Sequence, residues 1–154
     1  MILTVRFAHL AEAPNLKVGD QVTRGQVLGI MGSSGQSSAP HVHVDCVYGS
    51  QAGAYSLANM EAGIPEPAPP RQLIYFADDE LFGVPAVVTT GFADPDYFRS
   101  LGKVHLGFDL VPEDRKESRD HYALHWPRSM PGRVTRVAYD AAGYGHHIQI
   151  AFEV

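Results

Sequence analysis

Hydrophobic and polar residues alternate along this 154-residue chain in many short runs, with Gly or Pro between them. The first run, MILTVRFAHL (1–10), reads as a strand. NLKVGDQVTRGQVLGIMGSSG (15–35) reads as short strands around turns at VGD and RGQ, ending in the small-residue loop MGSSGQSS. PHVHVDCV (40–47) is again a strand, with Val42, Val44 and Cys46 on one side and His41, His43 and Asp45 on the other. Further strands follow at QLIYF, VPAVVTTGF, KVHLGFDLV, PGRVTRVAYD and HHIQIAFEV. No stretch sustains a long 3.6-residue period. The best short helix is YSLANMEA (55–62), ending at Gly63. The prolines of GIPEPAPPRQ (63–72) forbid helix or central strand and make a stiff extended strap. Neither half beside the strap looks large enough for a robust core of its own. The pattern predicts one all-β domain over 1–154, mainly antiparallel, with one short helix.

Composition narrows the chemistry. The formal net charge is −5, with no basic run, which argues against a nucleic-acid partner. The single cysteine, Cys46, excludes an internal disulfide and a cysteine-rich metal cluster, so any metal must be held by His and carboxylate. Cys46 points with the valines and reads as a small buried hydrophobe. No run approaches the length of a membrane span, and the first residues lack the pattern of an export signal. A protein made in the cytoplasm without an export signal of its own, and with no membrane insertion, is the expectation.

Eight histidines remain to be placed. In KVHLGFDLV, Val104, Leu106, Phe108 and Leu110 form a core face, leaving His105 and Asp109 on the other with Gly107 between them. On a straight strand those two lie roughly 13 Å apart, at about 3.3 Å per residue. Sharing one metal ion therefore requires the chain to bend, and Gly107 permits it. Otherwise they are two polar residues of a surface strand. His41 and His43, about 6.6 Å apart on one face, can reach a single site or stand half-exposed on an edge strand. His9 ends the first strand. His121, His125, His146 and His147 read as structural or surface residues.

Several pieces combine to sharpen this reading. FAHL, LKVGDQVTRGQVLGIMGSSGQSSAPHVHVD, VTTGF with HLGFD, and PGRVTRVAYDAAGYGHHIQI together resemble the lysostaphin-type zinc metallopeptidases, which cut peptidoglycan peptides. That family carries H-x-G-x-D, a GYG hairpin, a Y-x-H-L strand end, a GD-x-V-x-x-GQ stretch and a final H-x-H. Here the order differs: the H-x-H half occupies 1–48, and the H-x-G-x-D half follows the strap, within 73–154. The resemblance therefore implies a circularly permuted lysostaphin-like sheet core, with the cut at the family's central hairpin. Permutation is tolerated where the old ends lie close and the new ones fall at a surface turn.

By the same resemblance, His43, His105 and Asp109 match the ligands of one Zn2+ per chain, leaving a fourth position open. His9 and His41 match the two non-ligand active-site histidines, their acid and base roles undivided. Tyr97, in the loop before His105, matches a tyrosine whose hydroxyl faces the reacting carbonyl in some members. Asp45 either accepts the second N–H of His43 or forms a plain surface salt bridge. Gly32 and Gly35 shape the loop beside the substrate groove, or merely a turn. The implied partner is bacterial peptidoglycan, met by a monomer. With no export signal read, a phage-type lysin or virion-associated wall hydrolase, reaching the wall after phage-assisted release, is the expectation. Two alternatives stand beside an active peptidase. One is a catalytically inactive family member. The other is a binding or carrier module, since VGDQVTRGQVLG also resembles lipoyl and biotinyl carriers; neither Lys17 nor Lys103 sits in the Met-Lys-Met-type turn that such a carrier needs.

Overall fold

A computed structural model describes residues 2–48, 80–91, 94–103, 105, 107–114 and 122–153, with the side chains of Leu3 and 46–48 left aside. The expected helix 55–62, the strap 63–72, the strand QLIYF and His121 lie outside the described residues, as does the side chain of Cys46.

The strands are β1 (Ile2–Leu10), β2 (Gln21–Val22), β3 (Val27–Ile30), β4 (Val42–Tyr48), β5 (Ala86–Thr90), β6 (Phe108–Pro112), β7 (Ala123–His125), β8 (Gly132–Asp140) and β9 (Gly145–Glu153). Among the described residues they form a seven-stranded sheet, β2-β8-β9-β1-β4-β6-β5, and a two-stranded ribbon, β3-β7. Every pairing is antiparallel. The all-β expectation holds, and β1 and β4 lie near the centre of the sheet.

Period-two alternation builds the core. Val5 and Phe7 of β1, Val42 and Val44 of β4, and Ile148 and Ile150 of β9 are buried in one apolar cluster. Leu28 of β3, Leu124 of β7 and Trp126 join that cluster from the ribbon, so sheet and ribbon share one core. Trp126 satisfies its buried indole N–H by donating to the Met130 carbonyl at 2.9 Å. The first and last described residues are neighbours: β9 runs antiparallel to β1, with Ile2 opposite Glu153.

Two elements differ from expectation. Residues 95–101 are not loop but a helix, α1 (Pro95–Leu101). Its signals are at its ends. The Asp94 carboxylate caps the Tyr97 N–H, Pro95 occupies the first turn, and Gly102 closes the helix at φ 70°. The helix buries none of its residues, so no 3.6-residue apolar stripe betrays it. β6 begins at Phe108 rather than at Lys103, which leaves His105 ahead of the strand. No helix among the described residues is long and apolar enough to cross a membrane.

Candidate metal centre

Three adjacent strands build the site. In the β4–β6 register His43 lies opposite Asp109, and in the β1–β4 register Ala8 lies opposite His43. Val42 and Val44 point into the core, so His43 must point away from it. His105 enters from the turn before β6. His43 Nδ1 lies 3.2 Å from His105 Nε2 and 3.1 Å from Asp109 Oδ1, and His105 Nε2 lies 3.2 Å from the same Oδ1. These three atoms form a nearly equilateral triangle. A tetrahedral ion with bonds of about 2.0–2.1 Å separates its ligand atoms by about 3.3 Å. The set of two imidazoles and one carboxylate therefore fits a single metal ion.

The bend that brings His105 to Asp109 also explains Gly107. A Cβ there would lie 2.4 Å from the Val44 carbonyl oxygen and 2.9 Å from the His43 ring. Any side chain would push the His43 ring away. His105 donates Nδ1–H to the Gly91 carbonyl at 2.8 Å, which fixes the ring with Nε2 turned into the triangle. Burial would raise the Asp109 carboxyl, but hydrogen bonds from His105 and His43 and the nearby His41 hold it well below the usual carboxylate range. Burial would lower His105, but Asp109 and the Gly91 carbonyl raise it above the ordinary histidine value.

His9 reaches the site through a defect in β1. By simple alternation, His9 would share the core face with Phe7. The β1–β9 register instead shifts between Phe7 and Leu10, with Phe7 opposite Ile148 and Leu10 opposite His146. Ala8 and His9 thus face the single His147, a β-bulge. His9 adopts φ 63° and is the non-glycine residue with positive φ among those described. The bulge swaps the faces of the residues around it: Leu10 drops into the core, and the His9 ring meets His41 at 4.7 Å between centroids. Burial, then the nearby His41 and His43, lower His9 to about 4 against a smaller opposing pull from the Ser34 carbonyl, so it is neutral near pH 7.

His41 and His9 share one device. His9 Nδ1 donates to the Ser34 carbonyl at 2.7 Å, and His41 Nδ1 donates to the Ala39 carbonyl at 2.9 Å. A carbonyl only accepts, so each neutral ring keeps an unprotonated Nε2. His41 Nε2 lies 3.5 Å from Asp109 Oδ1. Both rings line a cleft of about 610 Å³ with the triangle at its floor, and Gly35, Ser37, Tyr97 and Leu101 on its walls. The Tyr97 ring stands 4.6 Å from that of His105. Burial, and then Asp109, raise its hydroxyl above the ordinary tyrosine value, so it stays a proton donor.

Some expected residues do other work. Asp45 does not serve His43. Both of its oxygens are taken by Arg6, its cross-strand partner, in a buried pair, and His43 Nε2 has no hydrogen-bond partner among the described residues. The pair is also not at the surface, since Asp45 is 4 % exposed. Gly32 does not line the cleft; it is buried, its place for a Cβ filled by the Ala11 backbone, and it bridges His41. Gly35 does line the cleft, at φ 74°. His147 is buried and donates to the Gly145 carbonyl, His146 stacks on Tyr139, and His125 approaches the Leu81 carbonyl. Lys103 donates to the Gln36 side chain at 2.9 Å.

The sequence reading passed over Arg6 and Tyr144. The Arg6 guanidinium lies 3.6 Å over the Tyr144 ring, and that ring lies 5.8 Å from His43, forming a layer beside the site. A signal was available: Arg6 is a charged residue between the core residues Val5 and Phe7.

The sequence profile of Peptidase family M23 matches residues 2–53. That stretch holds His9, His41 and His43, whereas His105 and Asp109 lie beyond it. The glycyl-glycine endopeptidase ALE-1 of Staphylococcus capitis is 51 % identical over 37 residues, which are 24 % of this chain and 10 % of that protein. The match thus spans about a tenth of that relative's length. No solved structure matches the chain.

Proposed function

From the premise that the chain carries the signature of peptidase family M23 over residues 2–53, we propose that it is a zinc-dependent endopeptidase cutting peptidoglycan stem or cross-bridge peptides. The observation that carries this reading is the His43, His105, Asp109 triangle in a cleft into which two further histidines, His9 and His41, open. A carrier module needs an exposed modified lysine, and an inactive relative has no need of so complete a set of groups.

In this reading His43, His105 and Asp109 hold zinc. Bound there, zinc would supply Lewis acidity toward the scissile carbonyl and lower the pKa of water towards about 7. The unprotonated Nε2 atoms of His41 and His9 accept the proton of the attacking water and return it to the leaving amine, so the proton count balances. The Tyr97 hydroxyl, kept protonated, donates to the oxyanion of the tetrahedral intermediate. The peptide lies along the cleft between Gly35 and Tyr97. The name of the similar Staphylococcus capitis enzyme favours glycyl-glycine bridges as the first substrate to try.

The same reading includes a circular permutation. Three facts support it: His43 precedes His105 in the chain, β1 and β9 pair as antiparallel neighbours with Ile2 opposite Glu153, and a linear family profile covers one side of the site only. Metal coordination depends on position in space, so the rearranged order leaves the triangle whole.

The test is zinc content together with release of peptide fragments from purified peptidoglycan, both pentaglycine-bridged and directly cross-linked. Wild type should bind zinc and release fragments, and His43→Ala should do neither. Cleavage by His43→Ala at the wild-type rate would overturn the proposal.

A further inference from the structure

The bulge in β1 leaves a break in the hydrogen-bond ladder with β9, and a side chain from a third segment fills it. The Ser34 hydroxyl donates to the Leu10 carbonyl and accepts the His146 N–H at 2.9 Å. Leu10 and His146 are the pair at which the ladder resumes after the bulge. One serine oxygen thus stands between the two strands where they diverge. The carbonyl of the same residue receives His9 Nδ1–H at 2.7 Å.

The surroundings hold Ser34 tightly. Gly145, at φ 61°, packs so close that a Cβ would lie 2.3 Å from the Ser34 hydroxyl oxygen. Gln36 N–H reaches the Gly143 carbonyl at 2.7 Å, docking the loop on the turn between β8 and β9. The backbone of His9 is tied as well: its N–H goes to the Tyr144 carbonyl at 2.8 Å, and its carbonyl accepts Gly32 N–H at 3.1 Å. The left-handed backbone and the ring direction of His9 are therefore set by one network.

We propose that Ser34 is a positioning residue, which holds the His9 imidazole as its Nδ1–H tautomer with Nε2 turned into the cleft. The hydroxyl is required because one small group must donate to Leu10 and accept from His146 together. An alanine does neither, so the loop loses its anchor and its carbonyl drifts from His9. The inference rests on the peptidase reading for the use His9 makes of that tautomer, but not for the tautomer itself.

The test is the long-range proton–nitrogen NMR spectrum of the histidine rings, read beside cleavage kinetics, on the whole chain. Wild-type His9 should carry its proton on Nδ1. Ser34→Ala should shift His9 towards Nε2–H and lower kcat about tenfold with KM and zinc content unchanged. Ser34→Thr, which keeps the hydroxyl, should behave as wild type. A wild-type His9 protonated on Nε2, or a folded Ser34→Ala with unchanged tautomer and kcat, would overturn the proposal. Should Ser34→Ala fail to fold, a wild-type His9 protonated on Nε2 would still overturn the proposal. If wild type cleaves no peptidoglycan, the peptidase reading fails, and the ring spectra still test Ser34.

Discussion

β4 and β1 lie side by side and each presents histidine to the same cleft, but by opposite means. β4 keeps strict alternation through His43, with Val42 and Val44 in the core. β1 breaks alternation at Ala8 and His9, and the break turns His9 from the core side to the cleft. A regular strand places a ligand at little conformational cost. The bulge places the His9 ring at the cleft at the cost of a left-handed residue, roughly 1–2 kcal/mol for a side chain of L chirality. Rigid geometry sits where the metal would be held, and local strain sits where a proton would move.

Breaking the regular side should do the most damage. His43→Ala and Asp109→Asn each remove a corner of the triangle, and peptidoglycan cleavage should fall about 10³-fold or more, with loss of bound metal in elemental analysis. Breaking the bulged side should spare the metal. His9→Asn tolerates the left-handed backbone but lacks the ring, so kcat should fall about 10²-fold with zinc stoichiometry unchanged.

The residue between His105 and Asp109 comes next. Gly107→Ala drives a Cβ against the Val44 carbonyl and the His43 ring. Metal affinity should drop about 10–100-fold, measured by competition with a chelating dye. A smaller effect separates the two sides by stability alone. His9→Val, whose branched side chain resists positive φ, should unfold in urea at a free energy about 1 kcal/mol or more below His9→Asn.

The smallest effect is in pH. Burial lowers His9 to about 4 in the folded, metal-free chain, below the roughly 6.5 of an unfolded histidine. Between those values the unfolded state binds more protons, so this contribution to stability rises with pH from about 4 to 6.5 and is flat above. The difference in unfolding free energy between wild type and His9→Asn should therefore change across that window and level off above it. A pH-independent difference would mean that the ring is not buried as a neutral base.

Legibility followed the same division. Val42, His43 and Val44 lie in a regular strand and His41 just precedes it, so period two alone assigned their faces. Sharing of one ion by His105 and Asp109 needed a bend that Gly107 only hinted at. The reason for that glycine is a long-range contact with β4, absent from any local pattern. The β1 bulge leaves no trace in FAHL itself, because the groups that satisfy it come from Ser34 and the turn before β9. α1 escaped because it buries nothing, although Asp94, Pro95 and Gly102 spelled out its ends. The strand pattern cannot choose between His43 and a salt bridge for Asp45, because it does not show Arg6 directly across from it.

Segments far apart in the chain come together at one candidate metal site. His105 tests it most directly, since it lies outside the stretch that matches the peptidase family. Zinc binding to wild type and His105→Ala, titrated calorimetrically on the whole chain, should give one ion per wild-type chain and an affinity at least about 100-fold weaker in the variant. Equal affinity in the two proteins, or no binding by wild type, would contradict the account.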